Sequence, residues 1–225
     1  MKTTDRLAAV CGAATIALLI LGGDVLGTPP GPQVAHPTGQ QDLDTLHWVA
    51  DNSSAQVGVG LELLGFALMI VFISYLSTRV RDAGWLATAA LAGGIIEVAI
   101  KLGSGAPMFA AYLLRDEVSP ETARVLIDMN GAAFVLSWLP MGVFVACAAG
   151  AGLAVGVLGR VLGWGGIIAG VATVIVTAAT GVHILSAVFV PFLLCLLWVL
   201  LVSLRLTFQR STSTAVVSDG VKATV

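Results

Sequence analysis

Apolar residues run along this chain in six blocks, at roughly 7–27, 56–77, 84–103, 131–155, 163–181 and 184–204, divided by short polar or proline- and glycine-rich stretches. A hydrocarbon core of about 30 Å takes roughly 20 mostly apolar residues per helical crossing, and each block is about that long. Lipid offers the backbone no hydrogen-bond partner, and six segments of this length cannot close a barrel, so each is predicted to be a helix. The expected fold is all-α: a polytopic transmembrane helix bundle of six spans within residues 1–206, followed by a disordered cytoplasmic tail over 207–225 that is polar and poor in large apolar groups. Blocks five and six meet at Gly181-Val182-His183, which predicts a tight antiparallel hairpin.

Composition strengthens the membrane reading. The 225 residues are 57% hydrophobic and 11% charged, and the mean hydropathy of +0.97 fits no ordinary water-soluble domain. The net charge of −2 says little, because the charges are segregated. With the N-terminus inside, Lys2, Arg6, Arg79, Arg81, Arg160, Arg205, Arg210 and Lys222 fall on one side, eight of the eleven basic residues. The loop 28–55 holds no Lys or Arg, and the loop 104–130 holds Arg115 and Arg124 among four acids. Both termini are therefore predicted to be cytoplasmic. Trp85, Trp164 and Trp198 then fall near the inner boundary, as an interfacial belt would place them. Membrane lipids are the expected surroundings. No stripe of basic and aromatic residues points to nucleic acid.

Lys2 and Arg6 ahead of an apolar run also describe a secretory signal peptide, but Val25-Leu26-Gly27 makes a poor cleavage site, so the first span is expected to be retained. Ala8-Ala9-Val10-Cys11 lacks the leucine and the small residue expected just before the cysteine of a lipoprotein anchor, which argues against one. Cys11, Cys147 and Cys195 each sit within a span without CxxC spacing, so no disulfide framework and no metal cluster are expected. Among the histidines, His36 and His47 lie in a loose loop with no ligand spacing. No metal or cofactor is predicted.

The stretch between the first two spans opens on Gly27-Thr28-Pro29-Pro30-Gly31-Pro32, an extended link. It continues as a predicted short surface helix from Asp42 to Asp51. Asn52-Ser53-Ser54 matches a glycosylation sequon, relevant only in a eukaryotic secretory route. Ser119-Pro120-Glu121 is a well-founded helix start that runs into span four, with a break expected near Gly131. Pro140 and Pro191 should kink spans four and six. Gly166, Gly170, Thr173, Thr177 and Gly181 share a face of span five. Ala90 with Gly94, and Ala148 with Gly152 and Gly156, add small-xxx-small pairs. Such faces allow close helix approach, inside the bundle or across a homodimer. Arg79-Val80 with Gly84-Trp85, and Arg160-Val161 with Gly163-Trp164, repeat faintly, and selection for an inner arginine plus an aromatic anchor accounts for both.

Ionisable side chains at the centre of a span cost about 2.5–3.5 kcal/mol each on insertion scales and need a reason. Counted along the predicted spans, Glu62 and Glu97 each lie six residues from the outer end, and Lys101 is one turn above Glu97 on the same face. Asp24, Asp128, Asn130 and His183 also fall near outer ends, whereas the inner half carries no comparable charge. This asymmetry predicts an outward-facing polar pocket built from spans two, three and four, with Glu62, Glu97, Lys101, Asp128, Asn130 and His183 as candidate binding residues. Lys101 can serve as counter-ion to one carboxylate, leaving the other to hold a proton, a cation or an amine. The plainer alternative is structural pairing of Glu97 with Lys101, with the lysine snorkelling to headgroups.

Stretches such as Leu61-Glu62-Leu63-Leu64-Gly65-Phe66 and Gly159-Arg160-Val161-Leu162-Gly163-Trp164, set in Ala/Gly/Val-rich spans with Arg favoured over Lys, resemble uncharacterised six-span membrane proteins of high-GC Gram-positive bacteria. That resemblance implies a bacterial plasma membrane and no particular activity. The chain holds no P-loop, HExxH or Gly-x-Ser-x-Gly pattern, and span six lacks the lysine of a retinal protein. Three functions remain open: a binding or accessory protein contacting a lipid or membrane-protein partner, a small-solute or proton-coupled transporter, and an intramembrane enzyme acting on a lipid or isoprenoid. The one-sided polarity suits the first best and leans away from an enzyme.

Overall fold

The computed structural model describes residues 3–29, 37–180 and 185–209. The 181–183 hairpin, His36, His183 and the tail beyond 209 lie outside the described residues. All regular structure among the described residues is helical: α1 (Thr3–Leu19, continued by a π-helical turn Ile20–Leu26), α2 (Gly39–Asp51), α3 (Ser53–Arg79), a 3-10 turn (Arg81–Ala83), α4 (Trp85–Leu113), α5 (Pro120–Leu136), α6 (Trp138–Ala154), α7 (Arg160–Thr180) and α8 (Leu185–Phe208). Six helical units are long and apolar enough to cross a membrane: α1 with its π turn, α3, α4, α5 joined to α6, α7, and α8.

Local sequence explains most helix ends. Thr38 and Gln41 form a reciprocal capping box at the start of α2. The Asn52 side chain accepts the Ser54 N–H at 3.0 Å, so the sequon asparagine caps α3. Ser119 accepts from Thr122 N–H with Pro120 at the first helical position, as the sequence predicts. Gly84, at φ 65° and ψ −125°, turns the chain into α4 through a region that side chains with a Cβ avoid. Gly163 lies inside α7, so the two Arg-Val/Gly-Trp stretches are built differently.

Four expectations about helix ends and kinks need correction. Helix α4 continues ten residues past its expected end at 103, which shrinks the second long loop to 114–119. Gly103, Ser104, Gly105 and Pro107 read as breakers, but Ser104 Oγ donates to the Lys101 carbonyl at 2.8 Å. Beyond them, Ala111 packs with Leu46 of α2 and Ala123 of α5 in a small second core. In span four the break falls at Ser137 instead of Gly131. Pro140 is the third residue of α6, in the first turn, where its missing N–H costs no intrahelical bond, so it marks a helix start more than a kink. Helix α8 runs through Phe208, and Thr207 Oγ1 donates to the Ser203 carbonyl, so the tail begins later than 207.

Helix α6 is the centre of the bundle, burying Trp138, Met141, Phe144, Val145 and Ala148. Its approach to α7 is set by glycines: a Cβ on Gly170 would lie 2.5 Å from both the Gly142 carbonyl oxygen and the Ala146 nitrogen. Gly93 meets the Pro140 carbonyl and the Phe144 nitrogen of α6, and Gly94 meets Ile73 of α3. At Gly93, Gly94, Gly142 and Gly170 the small-residue positions are therefore filled from within the chain. Helix α1 packs between α3 and α8. Gly12 lies against the Phe72 ring, Thr15 Oγ1 donates to the Gly65 carbonyl at 3.0 Å, and the Ser203 hydroxyl bridges the Ala9 carbonyl and the Ala13 N–H. Trp85 and Trp164 are exposed, but Trp198 is 4% exposed, so it is no belt residue. Its indole N–H donates to the Leu162 carbonyl at 2.8 Å, and its ring meets Phe144 edge-on.

Candidate functional site

At the end of the bundle that carries α2, a cavity of about 450 Å³ opens between α3, α4 and α5. Each wall is a helical stripe. Helix α3 supplies Gln56, Val59, Glu62, Leu63 and Phe66, and α4 supplies Lys101, Ser104, Gly105, Met108 and Tyr112 at spacings of three and four. Helix α5 contributes Asn130 and Phe134, one turn apart, and Leu46 and Val49 of α2 form the roof. The walls are mostly apolar, with Glu62 partway down and Lys101 beside Phe66 and Phe134 at the floor.

Lys101 and Glu97 are 7% and 4% exposed. Their Nζ–Oε1 separation of 3.7 Å makes an ion pair too long for a good hydrogen bond. The ammonium instead sits over the Phe134 ring, 3.4 Å from its centroid, with the Phe192 ring at 5.2 Å. A desolvated cation over an aromatic face is favourable by about 2 kcal/mol, which explains how a lysine is kept this deep without snorkelling. Glu97 Oε2 is buried with no hydrogen-bond partner among the described residues.

Glu62 is held differently. Its side chain rests on the π-helical turn after α1: a Cβ on Gly23 would lie 2.5 Å from Glu62 Oε1, and one on Gly22 would lie 2.9 Å from its Cγ. The charged groups that act on it are Asp24 and Lys101. Among the described residues no cation lies within ion-pair distance of Glu62, and its carboxylate makes no hydrogen bond.

The two carboxylates do not share a level. Gly94 of α4 touches Ile73 of α3, and the helices are antiparallel, so Glu62 lies near the height of Gly105. Glu97 is roughly 10 Å deeper, about two turns. Side chains lean toward their own helix N-terminus, so Glu62 tilts toward the α2 end and Glu97 away from it. The equal depth expected from sequence came from ending α4 at 103. Lys101 is nearer in height to Glu62 and is shared electrostatically with both acids.

Of the six candidate residues, Glu62, Lys101 and Asn130 line the cavity, and Glu97 lies beneath its floor. Asn130 Nδ2 points at the Met108 sulfur, 3.8 Å away. Asp128 is exposed and outside the cavity. It accepts from Arg124 Nε at 2.9 Å, and Arg124 also contacts Asp42 at 3.2 Å and the Pro37 carbonyl at 2.7 Å, tying α2 to α5. His47 lies 3.8 Å from Asp116, also away from the cavity. Among the described residues no three His, Cys, Asp or Glu side chains gather in a metal-binding group. Gln56, Ser104 and the aromatic lining went unread in the sequence. The signal is the 101-104-105-108-112 stripe, visible once α4 is continued past its glycines.

No protein-family model matches the chain, and no curated protein or solved structure matches it. The six apolar helices are compatible with an integral membrane protein, and any more specific role rests on the site itself.

Proposed function

We propose that this chain is a binding or accessory protein of a bacterial cell membrane, with both termini cytoplasmic and the α3–α4–α5 cavity facing outward to take up an amphiphilic small molecule. The observation that carries this reading is a cavity of about 450 Å³ with mostly apolar walls and two charged side chains on its lining. Sites of this size and chemistry suit ligands with an apolar body and one polar group. Arg6, Arg79, Arg81, Arg160 and Arg205, at helix ends away from the cavity, support the orientation. A carrier would need a polar path past Glu97. Farther from the cavity, the buried polar side chains among the described residues are the hydroxyls of Thr15, Ser77, Ser137, Thr173, Thr177 and Ser203 and the indole N–H groups of Trp138 and Trp198, none of them charged, which favours binding over transport.

The test is mass spectrometry of small molecules that co-purify with the protein in mild detergent, comparing wild type with Val59→Trp, which places an indole in the cavity. A species retained by wild type and lost from the folded variant supports the reading, and identical spectra overturn it. Orientation is tested separately. Glu117→Cys should react with an impermeant maleimide added to intact cells, and reaction only after lysis reverses the assignment.

A further inference from the structure

We propose that the cavity selects an organic cation, an ammonium carried on an apolar body, with Glu62 as its counter-ion. The inference rests on the cavity-binding reading above and adds the ligand's charge and its contact. Two charged side chains line the cavity, and they are not equally free. Lys101 is satisfied: Glu97 stands 3.7 Å away and the Phe134 ring 3.4 Å away. Glu62 lines the cavity beside Gly22 and Gly23 of the π-helical turn, with no ion-pair or hydrogen-bond partner among the described residues.

Glu62, Glu97 and Asp24 set against Lys101 leave the neighbourhood with an excess of two acidic groups. An anionic ligand would have to approach Lys101 past Glu62 and displace an existing pair. A cation meets Glu62 first, partway down, and lies among Phe66, Phe109 and Tyr112, aromatic rings of the kind that favour positive charge. Lys101 at the floor repels the ammonium from the bottom, so the charged group stays at Glu62 and the apolar body packs on Val59, Leu63 and Leu102.

The probes are 1-adamantylammonium and 1-adamantanecarboxylate, which share a compact apolar body and differ in charge. Binding is measured by titration calorimetry on the full chain in detergent. The expected result is saturable binding of the ammonium only. Glu62→Gln should weaken it about tenfold to a hundredfold, as loss of a charge-assisted bond does, and Glu62→Asp should restore part of the affinity. Glu62→Gln has no ion pair to break, and unfolding on heating confirms that it is folded. Preferential binding of the carboxylate, or ammonium binding unaffected by Glu62→Gln, overturns the cation inference while leaving the cavity reading intact if Val59→Trp still abolishes binding. No ammonium binding in wild type overturns the cation inference alone. The cavity reading fails independently if the co-purified species of wild type and Val59→Trp are the same.

Discussion

The Glu97–Lys101 pair allows an asymmetry to be predicted. At 3.7 Å and an effective dielectric near 20, the attraction is about 4 kcal/mol before either group's desolvation is charged against it. Lys101→Met leaves Glu97 in an apolar interior without its cation and with Oε2 already unpartnered, a loss expected to cost about 3 kcal/mol. Glu97→Gln leaves the ammonium on the Phe134 ring at 3.4 Å, a contact worth about 2 kcal/mol when desolvated, so the net cost should be only about 1 kcal/mol. In the double variant no charge is stranded. Unfolded-in-membrane states also find partners, so the coupling should be about 1–2 kcal/mol, and the double variant should be no worse than Lys101→Met alone. Reversible unfolding in mixed micelles with SDS, followed by helix content, measures all three. Adding Phe134→Leu should raise the cost of Glu97→Gln and narrow the gap between the single variants. Equal single costs, or a double variant equal to their sum within about 0.5 kcal/mol, would refute the idea that the aromatic face holds the lysine.

Three further outcomes follow from the packing. Gly170→Ala places a methyl 2.5 Å from two backbone atoms of α6 and should destabilise by about 1–3 kcal/mol, whereas Gly165→Ala, with nothing within 4 Å, should be neutral or stabilising; melting temperatures of the two compare them directly. Trp198→Phe removes the N–H bond to the Leu162 carbonyl, which keeps its own helical partner in α7, so the cost should be only about 0.5–1.5 kcal/mol in the micelle unfolding assay. Arg124→Met cuts the ties from α5 to Asp42 and the Pro37 carbonyl, so amide exchange should accelerate in α2 and stay unchanged in α6.

Hydropathy located the six long apolar helices because the bilayer imposes one length on all of them, and capping chemistry located the start of α5 because Ser119 acts on its own next residues, whereas Asn52, the cap of α3, was read only as a sequon. Most of what failed was non-local. Trp198 looked like a headgroup anchor until Gly166 of α7, a residue 32 positions away, made room for its ring. The glycines and proline after Lys101 looked like a loop because propensity counts each as a breaker. Continuing the helix through them depends on Leu46 and Ala123, which arrive from other parts of the chain. At the break between α5 and α6 the Ser137 hydroxyl donates to the Phe134 carbonyl, three residues back, a local bond that the glycine at 131 drew attention away from.

The extension of α4 changes what the site is. At 1.5 Å per residue its 29 residues span about 43 Å, well beyond a 30 Å hydrocarbon core. Taking exposed Trp85 as the boundary anchor at one end, Glu97 lies about 18 Å in and Lys101 about 24 Å in, while Met108 and Tyr112 rise past the far edge. Glu62, opposite Gly105 of α4 by the Gly94–Ile73 contact, falls at about 30 Å, at the far boundary and one turn above Lys101. The cavity thus straddles the rim of the apolar layer, with Glu97 buried beneath it and α2 roofing it. A molecule entering there would keep its charged group at the depth where lipid headgroups keep theirs and its body at the depth of the acyl chains. On the proposed binding reading, that match needs no polar path across the rest of the bundle: Glu97 and the Phe134 ring would hold Lys101 below, and Glu62 would be left to meet a ligand at the rim.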